Sequence, residues 1–148
     1  MAYLPNFPPI HFDFGALQEL GPELEKRGIT KPLFLTDRGL VEHGVFQQVT
    51  SVLPTGQAWA VFDDIPENPT IDGVERALLV YKSEACDGVV AVGGGSVLDS
   101  GKALRVVAVQ GGDVINYLKH PEKIGVNVAP YITIPTTAGT GAEITFGG

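Results

Sequence analysis

A chain of 148 residues suits one domain, and a hydrophobic fraction of 44% excludes a disordered one. The formal charge of −7 comes without a basic run, so the electrostatic footprint for nucleic acid or an anionic membrane is missing. A single cysteine, Cys86, excludes a disulfide framework and a cysteine-rich zinc site, no apolar run nears the ~18 residues of a membrane span, and no basic-then-apolar leader opens the chain. A cytoplasmic protein is expected.

Residues 10–14 alternate as a strand would, Gly15 breaks them, and Leu17, Leu20 and Leu24 then recur at helical spacing across 16–27. Lys31-Pro32 leads into the apolar run Leu33-Phe34-Leu35-Thr36, closed by Asp37 and Gly39. A helix is expected over 40–53 despite Gly44. Residues 58–62 form a short strand, Pro66-Glu67-Asn68-Pro69 a loop, and Thr70 caps a helix whose face carries Val74, Ala77, Leu78 and Tyr81. Gly73 stands where a capping box would have Glu. Residues 88–92 are apolar throughout, as a strand buried on both faces should be, and Gly93-Gly94-Gly95-Ser96 turns them into a helix over 97–109. Residues 111–130 read as a looser stretch. Tyr131-Ile132-Thr133-Ile134 is a last strand, ending at Pro135-Thr136-Thr137-Ala138-Gly139-Thr140-Gly141.

This alternation predicts an α/β fold, a doubly wound and mostly parallel sheet with helices on both faces. Ligands of such sheets bind beyond the carboxyl ends of the strands. Asp37, the glycine run and Thr136 to Thr140 all follow strand ends, so three loops should converge on one crevice. The glycine run before a helix offers free main-chain amides, the positive end of a helix dipole and unobstructed approach, which together suit a phosphate or diphosphate. A tight turn whose glycines serve only the backbone is the competing reading. Ser96 can cap the helix or donate to a phosphate oxygen. The fingerprint G-x-G-x-x-G fails because Leu98 holds its last position, and Gly101-Lys102-Ala103 is not the end of a P-loop. Asp37, ahead of the glycines, departs from the usual order of ribose-reading acids, while Asp113 reads as a turn or cap residue.

Taken together, Asn68-Pro69-Thr70, the segment from Cys86 to Lys102 and the segment from Ile134 to Glu143 resemble the iron-type alcohol dehydrogenases in order and spacing. The resemblance extends over nearly the whole chain. It implies a Rossmann-like dinucleotide-binding domain over 1–148, with the family's all-helical C-terminal domain outside this chain, which is therefore expected to continue beyond Gly148. By the same resemblance Gly94, Gly95 and Ser96 contact the cofactor's diphosphate, Thr136, Thr137 and Thr140 line its other side, Asp37 faces the adenosine ribose and Asp99 lies near the nicotinamide. A carboxylate at Asp37 accepts from both ribose hydroxyls and repels a 2′-phosphate, so NAD is preferred to NADP.

The resemblance further implies a divalent metal, Fe2+ or Zn2+, and a small alcohol or aldehyde substrate, both belonging to the full-length enzyme. This chain alone would bind the dinucleotide weakly and turn over nothing. Ala142 departs from the family's usual serine. His11, His43 and His120 have no metal-ligand spacing and read as surface or satisfied core residues, Cys86 as a buried thiol, and Asp99 with Lys102 also as a surface ion pair. Glycerol dehydrogenases, dehydroquinate synthases and maleylacetate reductases are the related alternatives, and a free-standing nucleotide-binding module without catalysis is the unrelated one. An exposed apolar face would favour a homo-oligomer.

Overall fold

The computed structural model of the protein describes residues 10–12, 15–67, 70–136 and 143–147, the two terminal strands by their backbone. Six strands form one sheet: β1 (Ile10–Phe12), β2 (Pro32–Leu35), β3 (Ala60–Phe62), β4 (Gly88–Gly93), β5 (Tyr131–Pro135) and β6 (Glu143–Gly147), in the spatial order β1-β6-β5-β4-β2-β3. The four from β3 to β5 are parallel, and β6 and β1 continue the sheet in antiparallel pairing.

Two of these strands differ from the sequence expectation. Residues 10–14 read as the first of the strand-helix units, yet β1 pairs antiparallel with β6, Ile10 opposite Thr145. Residues 143–147 read as belonging to no element, yet they lie between β5 and β1. A four-residue alternation, Glu143-Ile144-Thr145-Phe146, is too short to mark a strand until its partners, one of them some 130 residues away, are in place.

The two central strands β2 and β4 are apolar throughout because both their faces are covered. On one face Leu33, Leu35, Val89, Ala91 and Tyr131 pack against α4 (Ile71–Ser83), α5 (Gly95–Gln110) and α6 (Val114–Lys119). On the other, Phe34, Val90, Val92, Ile132 and Ile134 meet α1 (Leu20–Lys26) and α3 (Val45–Ser51). Successive residues of each strand serve opposite cores, as the two-residue repeat requires. Each fully buried aliphatic side chain contributes roughly 1.5–3 kcal/mol. Cys86 is buried, and that burial pushes its thiol above the ordinary range, so it is an inert core residue.

Helix limits follow local chemistry. The segment expected as one helix over 40–53 is two, α2 (Arg38–Glu42) and α3, parted at Gly44, whose φ of 81° is a left-handed value that no helix interior accommodates. The expected helix over 16–27 opens as a 3-10 turn, Ala16–Glu19, before α1. The stretch 111–130 holds α6 and a 3-10 turn, Pro121–Lys123, and Gln110 pins the loop behind them through the carbonyls of Gly125 and Asn127. Asp113 occupies the N-cap of α6.

Thr70 caps α4 as expected, its Oγ1 accepting from the Gly73 amide at 3.0 Å. Thr70→Ala should lower stability by about 1 kcal/mol, whereas Thr70→Ser should not. Thermal unfolding reads this as a drop of about 2–4 °C for alanine. Equal melting of the two variants would mean that the cap contributes nothing.

Candidate functional site

The order of the parallel strands decides where a ligand can enter. From β2 the chain moves outward to β3, then returns past β2 to β4 and continues to β5. The connections after β2 and β4 therefore leave in opposite directions, and a crevice opens between their carboxyl ends. A cleft of about 490 Å³ lies there, lined by Asp37 and Gly39 after β2, Ile65, Pro66 and Glu67 after β3, and Gly94, Gly95, Ser96 and Val97 after β4. A larger hollow, about 690 Å³, opens at the opposite end of the sheet, where residues 28–30 lead into β2 and 54–58 toward β3. Its Gln57 amide is already engaged by the carbonyls of Thr30 and Ala58, and it lies at the amino ends of the strands, away from where such sheets bind ligands.

The glycine run is shared between strand and helix. Gly93 ends β4 and its carbonyl accepts from the Thr136 amide at 3.0 Å, which ties the loop after β5 to the glycine loop. A Cβ on Gly93 would stand 2.8 Å from Val97 Cγ2, so the close return of α5 onto the strand requires glycine there. Gly94, extended at φ −85° and ψ −169°, is the N-cap of α5. The first hydrogen bond of that helix runs from the Leu98 amide to the Gly94 carbonyl at 3.1 Å. The amides of Gly95, Ser96 and Val97 therefore lie ahead of any intrahelical acceptor, at the positive end of a sixteen-residue helix. No acidic residue occupies that first turn. Nothing stands within 4 Å of where a Cβ on Gly95 would be. Neither positive φ nor packing accounts for that glycine.

The other expected residues divide. Asp37 lines the cleft and also caps α2, its Oδ1 accepting from the Leu40 amide at 2.9 Å. Ser96 is not a cap, because Gly94 holds that place. Its hydroxyl instead donates to the Glu67 carbonyl, joining the loop after β3 to the glycine loop. Thr136 sits beside the glycine loop through the bond to Gly93. Thr137 and Thr140, like Asn68, lie outside the described residues. Asp99 does not line this cleft. It is one turn further along α5, pairs with Lys102 at 3.5 Å on the surface, and borders a groove shared with Ser100, Ala103, Val114 and Leu118.

A charged network at the cleft's edge escaped the sequence reading. Asp64 Oδ2 accepts from Arg76 Nη1 at 2.5 Å, Asp64 Oδ1 lies 3.5 Å from Arg38 Nη2, and Arg76 Nε donates to Asp72 Oδ2 at 2.9 Å. The hydrogen bond from Arg76, then the charge of Arg38, hold the Asp64 carboxyl below the ordinary carboxylate range. Hydrogen bonds to Asp64 and Asp72 likewise raise the Arg76 guanidinium. The available signal was positional: Asp64 follows the end of β3 as Asp37 follows that of β2. Among the described residues no three His, Cys, Asp or Glu side chains gather as a metal site. His43 faces the Gly39 carbonyl and His120 pairs with Glu122.

A parallel sheet covered on both faces by helices, with a glycine-bordered helix N-terminus at its topological switch point, defines a doubly wound, Rossmann-like α/β domain. The chain belongs to the iron-containing alcohol dehydrogenase family, whose sequence pattern matches residues 8–147. It is 41% identical over 150 residues to a 4-hydroxybutyrate dehydrogenase of Cupriavidus necator, covering 99% of this chain and 39% of that protein. Among solved structures, the NADH-dependent butanol dehydrogenase A of Thermotoga maritima superposes with a TM-score of 0.81 at 31% identity, over 91% of this chain and 34% of the other. The sulfoacetaldehyde reductase of Bifidobacterium kashiwanohense, solved in complex with NAD+, also gives 0.81, at 27% identity, over 96% of this chain and 38% of its own. The chain thus spans well under half the length of these relatives. No helix among the described residues is long and apolar enough to cross a membrane.

Proposed function

We propose that residues 1–148 form the nicotinamide-dinucleotide-binding domain of an alcohol dehydrogenase that moves a hydride between a small alcohol or aldehyde and NAD. The observation that carries this reading is the open N-terminus of α5: three amides without intrahelical acceptors, above a glycine whose missing side chain leaves space for a ligand and serves no packing need.

In this reading the amides at Gly95 and Ser96, with Gly94 allowing close approach, hold the diphosphate. The Ser96 hydroxyl, now on the Glu67 carbonyl, is a further donor. Asp37 uses one oxygen to cap α2 and offers the other to the adenosine ribose hydroxyls. Thr136, held beside the glycine loop, is assigned to the opposite side; Thr137 and Thr140, outside the described residues, are assigned there by the family resemblance alone. Asp99, one turn along α5, marks the direction of the nicotinamide end. Among the described residues no Lys or Arg lines the cleft, so the attraction they supply comes from the helix dipole and hydrogen bonds, and weak binding follows. The bound cofactor supplies hydride chemistry, and these residues bind and orient it. The described residues do not form a metal-ligand set.

Calorimetry with NAD+ and NADH at millimolar concentration tests the reading: saturable heat supports it, and no heat overturns it. Asp37→Ser sharpens the test, because serine keeps an acceptor for the Leu40 amide but loses the carboxylate. NAD+ should bind about tenfold more weakly, the value of a hydrogen bond to a charged group. The gap between NAD+ and NADP+ should narrow as repulsion of the 2′-phosphate is lost. Unchanged affinity for both would remove Asp37 from the site.

A further inference from the structure

The charged network beside Asp37 has a bearing on which dinucleotide the cleft accepts. Arg38 follows Asp37 directly, heads α2, and its side chain is 68% exposed. An arginine at this place, next to the ribose-reading residue at a strand end, is what accommodates an adenosine 2′-phosphate. Arg38 is already partnered, its Nη2 lying 3.5 Å from Asp64 Oδ1. Arg76 is still more firmly engaged, between Asp64 and Asp72, with its guanidinium 5.6 Å from the centre of the Phe62 ring. Asp64 precedes Ile65 and Pro66, which form the cleft wall. One carboxylate just past the end of β3 thus contacts both Arg38, which follows Asp37, and Arg76.

We propose that Asp64 is a specificity-determining residue: by engaging Arg38 it withholds from a 2′-phosphate the cation that would otherwise bind it, so that preference for NAD rests on Asp64 as well as Asp37. This rests on the dinucleotide reading above. Asp64 acts through Arg38 and is a positioning residue. The pair is solvent-exposed, so its hold is modest and the effect is measured in severalfold changes.

The test is calorimetry of the 148-residue chain with NAD+ and with NADP+. Asp64→Asn should tighten NADP+ about fivefold while leaving NAD+ within about twofold. Adding Arg38→Gln should abolish that gain, and Asp64→Glu, which restores the charge, should return the original ratio. An unchanged ratio in Asp64→Asn, or a gain that survives Arg38→Gln, overturns the inference while the dinucleotide reading stands. If the unsubstituted chain binds neither dinucleotide, that reading fails and this one with it. Should Asp64→Asn not fold, Arg38→Gln alone decides: an NADP+/NAD+ ratio unchanged within about twofold supports the inference. Markedly weaker NADP+ would mean that Arg38 already serves the phosphate, and would overturn it.

Discussion

Gly95→Asp is expected to abolish dinucleotide binding and leave the domain folded. A Cβ at Gly95 would meet no atom of another part of the chain within 4 Å, and the residue is the first of α5. A carboxylate in the first turn is favourable to a helix, by about 0.3–1 kcal/mol, so the variant should melt at the same temperature as the parent or slightly above it. The same carboxylate would occupy the amides meant for the diphosphate and oppose it as a like charge. At a separation of about 5 Å and an effective dielectric near 20 that repulsion is about 3 kcal/mol, roughly a hundredfold in affinity. Starting from weak binding, calorimetry with NAD+ should then show no saturable heat. The two readings of the glycine run part here. If glycine serves only the turn, Gly95→Asp costs stability and spares binding. A melting temperature several degrees lower together with unchanged NAD+ affinity would exclude the site.

The second large effect belongs to the fold. Gly101→Ala should destabilise the domain by about 2 kcal/mol, although alanine in place of an interior helical glycine would ordinarily add about 1 kcal/mol. A methyl at this position would stand 2.5 Å from Tyr131 Oη and 2.6 Å from its Cε2. Tyr131 cannot give way cheaply. It is 2% exposed, its hydroxyl donates to the Leu98 carbonyl at 2.6 Å, and Arg105 lies 5.3 Å from the ring centre. Burial pushes its phenol well above the usual range, which keeps the hydroxyl a donor at any working pH. Overpacking costs roughly 1–3 kcal/mol and a loosened hydrogen bond about 1 kcal/mol more, together exceeding the helix gain. The drop in melting temperature should be about 4–8 °C. Pairing Gly101→Ala with Tyr131→Leu should recover part of the loss. A stabilised Gly101→Ala would show that α5 shifts freely on β5, and with it that the glycine loop is not rigidly held. Gly101-Lys102 thus has a packing explanation, as the failed P-loop pattern left room for.

The parts of this protein that local chemistry governs were legible in its sequence. Leu33 to Leu35 and Gly88 to Val92 are apolar on both sides of the pleat, and Tyr131 to Ile134 nearly so, which marks them as central strands. Thr70 announces α4 with a side chain three residues from the amide it caps, and the glycine run announces the start of α5. Asp37, Gly94, Gly95, Ser96 and Thr136 each follow a strand end, a position legible in the sequence, and in a parallel sheet those ends share one side. A local pattern does not say which strands are neighbours. The switch point between β2 and β4, the antiparallel pairing of β6 with β1, and the hold of Asp64 on Arg38 join residues far apart in the chain. Each is chosen by which apolar faces and charges meet once the layers close. Asp99 makes the same point in reverse: it is three residues from Ser96, but the turn of the helix carries it to another groove. Local order comes from neighbours within a few peptide units, whereas the shape of the cleft comes from burial of two opposite sheet faces at once, a condition only the folded chain satisfies.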